Sequence, residues 1–488
     1  MVKLTKLVIL VIFVAGKQSC RMNKTALKAY FDTAALKLPR WRKRNRSYHR
    51  LLEEYYSFFI PRGSRVLELG CGTGDLLAAV DPGYGVGVDF SPKMLELARQ
   101  RHPSLHFLEG DVEHFRFSET FDYIILSDLV GALWDVQAAF EAMASACHDR
   151  TRIIISSYNY LWEPAIQLAE RVGLKQRQPL QNWLSPTDLT TLLALTGYEP
   201  VRKEKKILIP KNIPIFSWLC NRYLVNLPLL RSWGLTNFII ARPATAREEA
   251  HSVSIVVPAR NEKGNIENAI LRTPDFGSRQ EFIFVEGNSS DGTWEEMLRV
   301  KECYPQKNIK VLKQSGKGKG NAVREGFDQA SGDILFILDA DLTTPPEDMP
   351  KFYDALRYNR GEFINGCRLV YPMEKQAMRF LNLLANKTFG MLFSYLLGQR
   401  LKDTLCGTKV LFRQDYEMIR DNRSYFGDFD PFGDFDLLFG AAKLNLKIVE
   451  VNVRYKDRQY GSTQISRFRH GWLLLRMTLY AARKLKFF

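Results

Sequence analysis

The sequence predicts an α/β protein with two successive units of strands and intervening helices, the first of which is a doubly wound parallel sheet. Three observations lead to this expectation. The chain has 488 residues, whereas a single hydrophobic core stops growing at about 250–300 residues. Short apolar strands alternate with helical stretches in two separate parts of the chain. Between these parts, the polar and proline-containing run Arg242–Ala250 is typical of a linker.

The first alternating part predicts five strands of a parallel sheet and two later strands that complete it. The five are Arg65–Leu69, Gly85–Asp89, Leu105–Leu108, Tyr123–Leu126 and Thr151–Ser156, and the later two lie near Tyr198–Leu208 and Asn237–Ala241. Between these last two strands, Ile213–Leu230 is rich in Trp, Phe, Leu and Pro. That segment is either an insertion with an exposed apolar face or an extra packed helix.

The second alternating part predicts five more strands. They are Val253–Pro258, Glu281–Glu286, Lys310–Lys313, Ile334–Leu338 and Phe363–Gly366. The same alternation predicts a second, separate α/β unit. We therefore place one domain at 22–243, a linker at 244–251 and a second domain at 252–488, after a leader at 1–21.

The leader allows three interpretations. Lys3 and Lys6 precede an apolar run, Leu7–Gly16, that is shorter than the roughly 20 residues needed to span a bilayer. The run is a short membrane-touching anchor, a secretory signal without a clear cleavage site, or a stretch upstream of a true start at Met22. We favour the first or third interpretation, because the downstream motifs require cytosolic small molecules.

Composition and charge restrict the classes of partner. With 46% apolar and 25% charged residues, the chain is typical of globular proteins and not of disordered ones. The 69 basic and 53 acidic residues give a net charge of +16, which indicates nucleic acid, an anionic membrane or a phosphate-bearing substrate. No basic stripe with interleaved aromatic residues is visible, so we expect no nucleic acid partner. Seven scattered cysteines without a CxxC pair favour a reducing compartment.

A glycine-rich turn marks a nucleoside site in the first half. Residues 66–76 read VLELGCGTGDL, a buried strand that runs into a loop and then a helix. Such a turn is where open α/β sheets bind nucleotides. Asp89 ends the next strand and is placed for ribose hydroxyls, whereas Asp111 follows the third strand and is placed for an adenine amino group. Asp128 closes the fourth strand.

These residues carry a family resemblance. Residues 68–74 match the E-x-G-x-G-x-G signature, and the segment from about Asn23 to Pro243 resembles a class I S-adenosylmethionine-dependent methyltransferase with a Rossmann-like sheet. The resemblance implies this cofactor set: Glu68, Gly70, Gly72, Gly74, Asp89, Asp111 and Asp128. The glycines would hold the methionine part of the cofactor. A dinucleotide-binding oxidoreductase and a domain that binds the cofactor without turnover remain as alternatives. For the methyl acceptor, His102, His106, His114 and Tyr158 are candidates by residue type only.

Two carboxylates mark the second half. Asp339 and Asp341 lie two residues apart at the end of the strand Ile334–Leu338. Carboxylates in this position are expensive to bury unless they are paired or bind a cation. They suit Mg²⁺ or Mn²⁺, which would neutralise a diphosphate as it leaves.

The preceding turns extend this motif into a pattern. The first strand ends in PARNE and the second in EGNSSDGT, and the order strand–PxxNE, strand–xGxSxDGT, strand–DxD resembles a family-2 glycosyltransferase of the GT-A fold from about Ser252 onward. The resemblance implies that both turns cradle a nucleotide-diphosphate sugar. The candidate donor contacts are Pro258, Glu262, Glu286, Asp291, Lys319 of the GKGKGNA loop, and Asp339.

Later clusters suggest the chemistry of transfer. In inverting members of this family a late acid acts as general base on the acceptor, which implies Asp434 or Asp436, with Asp403 third. A phosphate acceptor is already ionised and needs no base, so these acids are alternatively structural. The spacing R-x-x-G-x-S, with Arg458 and Ser462, is similar to the donor-closing segment of dolichyl- and polyprenyl-phosphate sugar transferases. No QxxRW segment is present, which favours transfer of a single sugar.

Together these features predict a bifunctional enzyme at a membrane surface. No run of about 18 apolar residues predicts a spanning helix, but Met378–Gln399 and Trp472–Phe488 are amphipathic and the latter is basic. We expect a peripheral protein on the cytosolic face of the membrane. Its acceptor would be a polyprenyl phosphate or similar lipid-linked molecule, with a soluble glycan as the alternative.

Overall fold

The computed structural model describes residues 24–245, 249–371, 380–425, 435–458, 460 and 467–487. Within them the chain forms two seven-stranded sheets with helices on their faces, which confirms the predicted α/β class. The leader at 1–21, Asp434 and Ser462 lie outside the described residues.

The first sheet has the order β3-β2-β1-β4-β5-β7-β6. Its strands are β1 Arg65–Leu69, β2 Tyr84–Asp89, β3 His106–Glu109, β4 Phe121–Ser127, β5 Cys147–Tyr158, β6 Tyr198–Lys206 and β7 Thr236–Pro243. Strands β1 to β5 pair in parallel, as expected. The expectation of an all-parallel sheet was wrong for β7, which enters between β5 and β6 and runs antiparallel to both.

The second sheet has the order β10-β9-β8-β11-β13-β12-β14. Its strands are β8 Val253–Ala259, β9 Gln280–Glu286, β10 Asn308–Lys313, β11 Ile334–Ile337, β12 Phe363–Cys367, β13 Lys409–Phe412 and β14 Ile448–Asn452. The sheet is again mixed, because β13 runs antiparallel to both β11 and β12. In both sheets the central strands are buried on both faces, which explains their continuous apolar sequences.

The helices cover both faces and fill the connections. They are α1 Lys24–Arg44, α2 Arg46–Phe59, α3 Asp75–Ala79, α4 Pro92–Arg101, α5 Val136–Met143, α6 Glu163–Arg171, α7 Pro186–Leu195, α8 Phe216–Arg222, α9 Ile266–Leu271, α10 Thr293–Cys303, α11 Lys319–Asp328, α12 Met349–Arg357, α13 Phe380–Leu397, α14 Arg413–Asp421, α15 Phe435–Lys443 and α16 Arg467–Leu485. Among the described helices, none combines the length and apolar character needed to cross a bilayer.

Buried charges join the two sheets. Arg152 of β5 donates from Nη2 to Glu362 Oε1 at 2.7 Å, and Arg242 of β7 lies 3.5 Å from the other oxygen of Glu362. Arg242 is fully buried and also donates to the side chain of Asn359 at 2.7 Å. Burial alone would raise the pKa of Glu362, but the charges of Arg152 and Arg242 outweigh it and lower the pKa. Glu362 therefore lies between two buried arginines across the contact between the two halves, and Arg242 has Glu199 of β6 as a second carboxylate partner at 2.5 Å.

Replacing Glu362 with alanine is expected to destabilise the folded chain by about 3–5 kcal/mol, because both arginines stay buried without their common partner. The measurement is urea unfolding followed by circular dichroism. Glu347→Ala is the matched control, since Glu347 pairs with Arg272 at 2.9 Å on the surface, where such pairs contribute about 0–1 kcal/mol. Equal shifts in the two variants would contradict this role for Glu362.

Candidate functional site

The glycine loop lies at the carboxyl end of β1, directly beside β2 and β4. Gly70 has φ +69°, and a Cβ there would overlap the side chain of Leu129. Gly72 has φ +52° with open space beside its Cα, and its N–H donates to Asp89 Oδ2 at 2.9 Å. Only glycine fits such a thin loop in this conformation. The loop thus leaves room for a ligand along its backbone.

Asp89 anchors this loop to the end of β2. Its second oxygen, Oδ1, accepts a hydrogen bond from the Ser91 N–H at 2.9 Å. The carboxyl group is buried, and burial raises its pKa above the usual value. Each oxygen keeps lone pairs for a further donor. The residue is therefore positioned both to hold the loop and to accept hydrogen bonds from a ligand hydroxyl.

Glu68 has a different position from the other cofactor candidates. It is buried, its Oε2 accepts a hydrogen bond from the Leu77 N–H at 3.0 Å, and burial raises its pKa to about 8. Neither Glu68 nor Gly74 lines the cavity that adjoins the loop, whereas Gly70, Gly72 and Asp89 do. Glu68 thus supports the start of α3 beneath the loop.

A cavity of about 850 Å³ extends from the glycine loop across this half. Asp111 and Asp128 also line it. Lys24 of α1 contacts Asp111 at 2.7 Å and Glu113 at 2.6 Å, so α1 lies over the end of the cavity where an adenine contact was expected. The structure brings together five of the seven predicted cofactor residues around this one space.

The far side of the cavity is built from α1 and α2, which the sequence analysis did not assign to the site. Trp41, Tyr48 and His49 line it, and Tyr48 donates from its hydroxyl to Asp128 Oδ2 at 2.7 Å. Burial, with the charge of Arg42, lowers the pKa of His49 to about 4, so this imidazole is neutral near pH 7. No motif marks these side chains. The available signal is the aromatic content of the two helices before the first strand.

Of the four acceptor candidates chosen by type, only Tyr158 lines the cavity. Its ring stacks on Tyr48 with centroids 5.9 Å apart. His102 instead contacts Asp75 at 3.1 Å, and His114 contacts Asp111 at 3.3 Å. His106 is on β3 and exposed. Tyr158 is therefore the candidate that remains beside the cofactor space.

The second site lies at the carboxyl ends of β8, β9 and β11. Lys319 Nζ lies 2.6 Å from Asp339 Oδ1, and Arg458 Nη2 lies 2.6 Å from Asp341 Oδ2. The other terminal nitrogen of Arg458 contacts Glu262 Oε1 at 2.8 Å. Residues separated by up to 196 positions thus meet in one cluster of alternating charge.

In the structure, the basic side chains of Lys319 and Arg458 neutralise the two aspartates. Burial alone would raise the pKa of Asp339, but the charge and hydrogen bond of Lys319 outweigh it and lower the pKa. Burial raises the pKa of Glu262, against the opposing charge of Arg458. Carboxylate oxygens at a strand end are ligands that suit a hard divalent cation. The donor set of Asp339 and Asp341 therefore fits Mg²⁺ or Mn²⁺.

The turns that follow β8 and β9 are joined to each other by hydrogen bonds. Asp291 accepts from the Lys263 N–H at 3.2 Å, and Thr293 donates from Oγ1 to an oxygen of Asp291 while accepting from the Glu262 N–H at 3.0 Å. Glu286 accepts from the Ser289 N–H and is buried. Pro258 is the penultimate residue of β8 and pairs with Val285 of β9. The turns therefore form one surface beside Asp339 and Asp341.

The late acids take different positions. Asp403 is fully buried and accepts hydrogen bonds from the Arg368 guanidinium at 2.7 and 2.9 Å and from Asn386 at 2.9 Å. Burial alone would raise its pKa, but Arg368 outweighs this and lowers the pKa to about 2. This is the arrangement of a loop anchor and is poorly suited to a general base. Asp436 begins α15, where Arg324 and Arg423 each lie 3.6 Å from its Oδ2.

Gly407 lies in the loop that follows Asp403, and its backbone packs closely against Asp339. A Cβ at Gly407 would overlap the carboxylate of Asp339 and approach Lys319 Nζ to 2.5 Å. No local pattern marks this glycine, because its role depends on a contact with Asp339, which follows β11.

Two family models match the chain, one in each half. Residues 66–150 match the family model described as Methyltransferase domain, and residues 254–419 match that of Glycosyl transferase family 2. The chain joins a methyltransferase domain to a glycosyl transferase family 2 domain. The two matched segments contain the glycine loop and the Asp339–Asp341 pair respectively.

Individual relatives and solved structures each cover less than half of the chain. Dolichol-phosphate mannosyltransferase of Pyrococcus furiosus is 35% identical over 137 residues, 28% of this chain and 38% of its own length. Undecaprenyl-phosphate 4-deoxy-4-formamido-L-arabinose transferase of Pectobacterium carotovorum is 28% identical over 228 residues, 45% of this chain and 64% of its own length. A solved magnesium protoporphyrin IX methyltransferase from Synechocystis covers 45% of this chain and 100% of its own, with 18% identity and a TM-score of 0.33. The chain thus spans less than two thirds of the length of the two curated relatives.

Proposed function

We propose that this chain is a bifunctional transferase. Its C-terminal half transfers one sugar from a nucleotide-diphosphate sugar to a polyprenyl-phosphate-type acceptor, and its N-terminal half transfers a methyl group from S-adenosylmethionine. The observation that carries the first activity is the cluster of Lys319, Asp339, Asp341 and Arg458 at the ends of two motifs far apart in sequence. The cavity beside the glycine loop carries the second.

The residues around Asp339 suit the binding of a diphosphate. A divalent cation held by Asp339 and Asp341 would supply neutralisation of the charge that develops on the leaving diphosphate. Lys319 and Arg458 are paired with these aspartates now and are placed to turn to phosphate oxygens, where the planar guanidinium can bind two of them. Glu262, Glu286 and Asp291, with Pro258, would border the nucleotide, and Ser462 would add a hydrogen bond.

The acceptor decides whether a base is needed. A phosphate oxygen is ionised near neutral pH and attacks without proton removal, whereas a sugar hydroxyl requires a base such as Asp434 or Asp436. Names of the two curated relatives include dolichol phosphate and undecaprenyl phosphate, which supports a lipid phosphate for this chain. Because such an acceptor needs no base, we assign Asp436 a positioning role at the start of α15. Because it is anchored in lipid, we propose that the protein acts at the cytosolic face of the membrane.

The methyltransferase half needs little acid–base chemistry. The sulfonium of S-adenosylmethionine is already activated, so in-line positioning of an acceptor beside it is sufficient. Gly70, Gly72 and Asp89 would hold the cofactor, and Tyr48, His49 and Tyr158 would border the acceptor. Burial and the charge of Arg42 lower the pKa of His49 to about 4, which makes its imidazole a weak base, so His49 would border the acceptor and not remove its proton.

Two assays test this function. Nucleotide release from UDP-, GDP- and dTDP-sugars, with Mn²⁺ and a short polyprenyl phosphate, is expected to be strong for one donor and to stop with EDTA. Titration calorimetry with S-adenosylmethionine, followed by a methyl-release assay, is expected to show binding and turnover. Binding without turnover across acceptors would instead identify a cofactor-binding module beside a single active transferase. Transfer only to soluble glycans would exclude the lipid acceptor.

A further inference from the structure

The connection between β6 and β7, residues 207–235 and hereafter the β6–β7 insertion, exposes an unusual set of large apolar side chains. They include Ile215, Phe216, Trp218, Leu227, Leu229 and Trp233, and Leu229 is 88% exposed. Scattered exposed apolar residues are ordinary, but a concentration within one short segment marks an interaction surface.

The backbone of the insertion is strained at one of these exposed side chains. Ile215 has φ +63° and is 80% exposed. A β-branched residue in the left-handed region is strained, and a side chain in solvent gains nothing there from packing. Strain of this kind persists where the surrounding structure enforces it, commonly at sites of function.

The charge around the insertion selects the kind of partner. No acidic residue occurs from Lys205 to Arg247, whereas Lys211, Arg222 and Arg231 lie within the insertion itself. Apolar side chains with tryptophans and flanking cations are the composition of segments that lie in the interface of an anionic bilayer. A cation-rich surface without acids is complementary to anionic lipid.

The C-terminal helix of the other half continues this surface. Phe487 stacks on Tyr223 with centroids 5.7 Å apart, and the Asn226 side chain donates to the Lys486 carbonyl at 2.9 Å. Helix α16 exposes a stripe made of Trp472, Leu475, Arg476, Leu479 and Arg483. No acidic residue follows Asp457 in the chain. Two acid-free, apolar and basic elements from different halves are thus neighbours.

The insertion also forms part of the rim of the methyltransferase cavity. Pro210 and Lys211 at its start and Leu235 at its end line the cavity. Trp162, another lining residue, donates from Nε1 to the Trp233 carbonyl at 2.8 Å. A surface that seats on a bilayer at this place would bring the cavity to the lipid.

We propose that the β6–β7 insertion docks on an anionic lipid bilayer and presents the methyltransferase cavity to an acceptor anchored in that bilayer. The inference rests on the proposed methyl transfer for its second part. It assigns to the N-terminal half a membrane contact that amphipathic patterns had placed only in the C-terminal half.

The test is co-sedimentation of the full chain with vesicles of phosphatidylcholine and phosphatidylglycerol, and with phosphatidylcholine alone. Binding to the anionic vesicles is expected, and the double variant Trp218→Ser/Leu229→Ser should weaken it about tenfold or more, because buried apolar area contributes to interfacial binding. Leu195→Ser/Leu271→Ser is the matched control. Leu195 is 67% exposed and Leu271 is 60% exposed. Leu195 precedes the start of β6, at the opposite end of that strand from the insertion.

Two further measurements separate the possible outcomes. Arg231→Glu, which leaves the apolar side chains in place, should reduce the preference for anionic vesicles. Calorimetry with S-adenosylmethionine in the absence of vesicles reports on folding and on the proposed function, and all variants should match the parent.

Unchanged vesicle binding by Trp218→Ser/Leu229→Ser with intact cofactor binding would overturn the docking inference and leave the function standing. A third outcome is a parent that does not bind vesicles but forms a dimer in the ultracentrifuge, which the Trp218→Ser/Leu229→Ser variant loses. That outcome would identify this face as a contact between two copies of the chain and would also overturn the docking inference. Vesicle binding by a parent that fails to bind cofactor would instead remove the proposed methyl transfer.

Discussion

Replacing Asp341 with alanine is expected to reduce sugar transfer at least about 100-fold, since one carboxylate alone holds a divalent cation and its diphosphate poorly. Asp341 Oδ2 now contacts Arg458 at 2.6 Å, and Asp341 Oδ1 accepts from the Thr343 N–H at 3.1 Å. The substitution therefore removes a proposed cation ligand and one of the carboxylates that contact Arg458. Nucleotide release from the preferred donor, measured across a Mn²⁺ titration, reports both effects.

The control for this variant is Asp348→Ala, seven positions further along. Asp348 is partly buried and pairs with the exposed Lys351, and its loss is expected to leave transfer unchanged. Binding of S-adenosylmethionine should be unaffected in both variants, since the two sites lie in different sheets. Sugar transfer by Asp341→Ala at the parental rate would show that this carboxylate pair is not the cation site.

Replacing Asp89 with alanine is expected to weaken S-adenosylmethionine binding about 100-fold or more. Two losses combine in this variant. The ribose hydroxyls would lose a charged acceptor, whose hydrogen bonds each contribute roughly 1.5–3 kcal/mol. The glycine loop would lose the anchor that Asp89 Oδ2 provides to the Gly72 N–H at 2.9 Å. Titration calorimetry measures the change directly.

Two companion variants make this result specific. Asp89→Asn keeps one acceptor oxygen and should retain part of the affinity. Asp188→Ala removes a carboxylate that caps the start of α7 away from the cavity, and it should leave cofactor affinity unchanged. Parental affinity in Asp89→Ala would exclude the predicted ribose contact. Sugar transfer should continue in all three variants, because Asp339 and Asp341 are untouched.

The sequence by itself determined the α/β class, most of the parallel strands and both ligand motifs. These features depend on short-range patterns: an apolar strand, a glycine or carboxylate turn, and a following helix. Gly70, Gly72 and Asp89 could be assigned because each ends or follows a strand that its own neighbours specify. The same holds for Asp339 and Asp341 at the end of β11.

Only the tertiary structure decided which distant groups meet. It placed β7 and β13 antiparallel between strands that precede them, and it closed the cavity beside the glycine loop with Trp41 and His49 from helices without a motif. It set Arg458 against Glu262 and Asp341, and Glu362 between two buried arginines. Local periodicity carries no information about such contacts, because they follow from how sheets and helices pack over separations of a hundred residues or more. The physical reason is that burial and charge compensation are properties of the assembled fold, whereas strand and turn preferences belong to neighbouring residues.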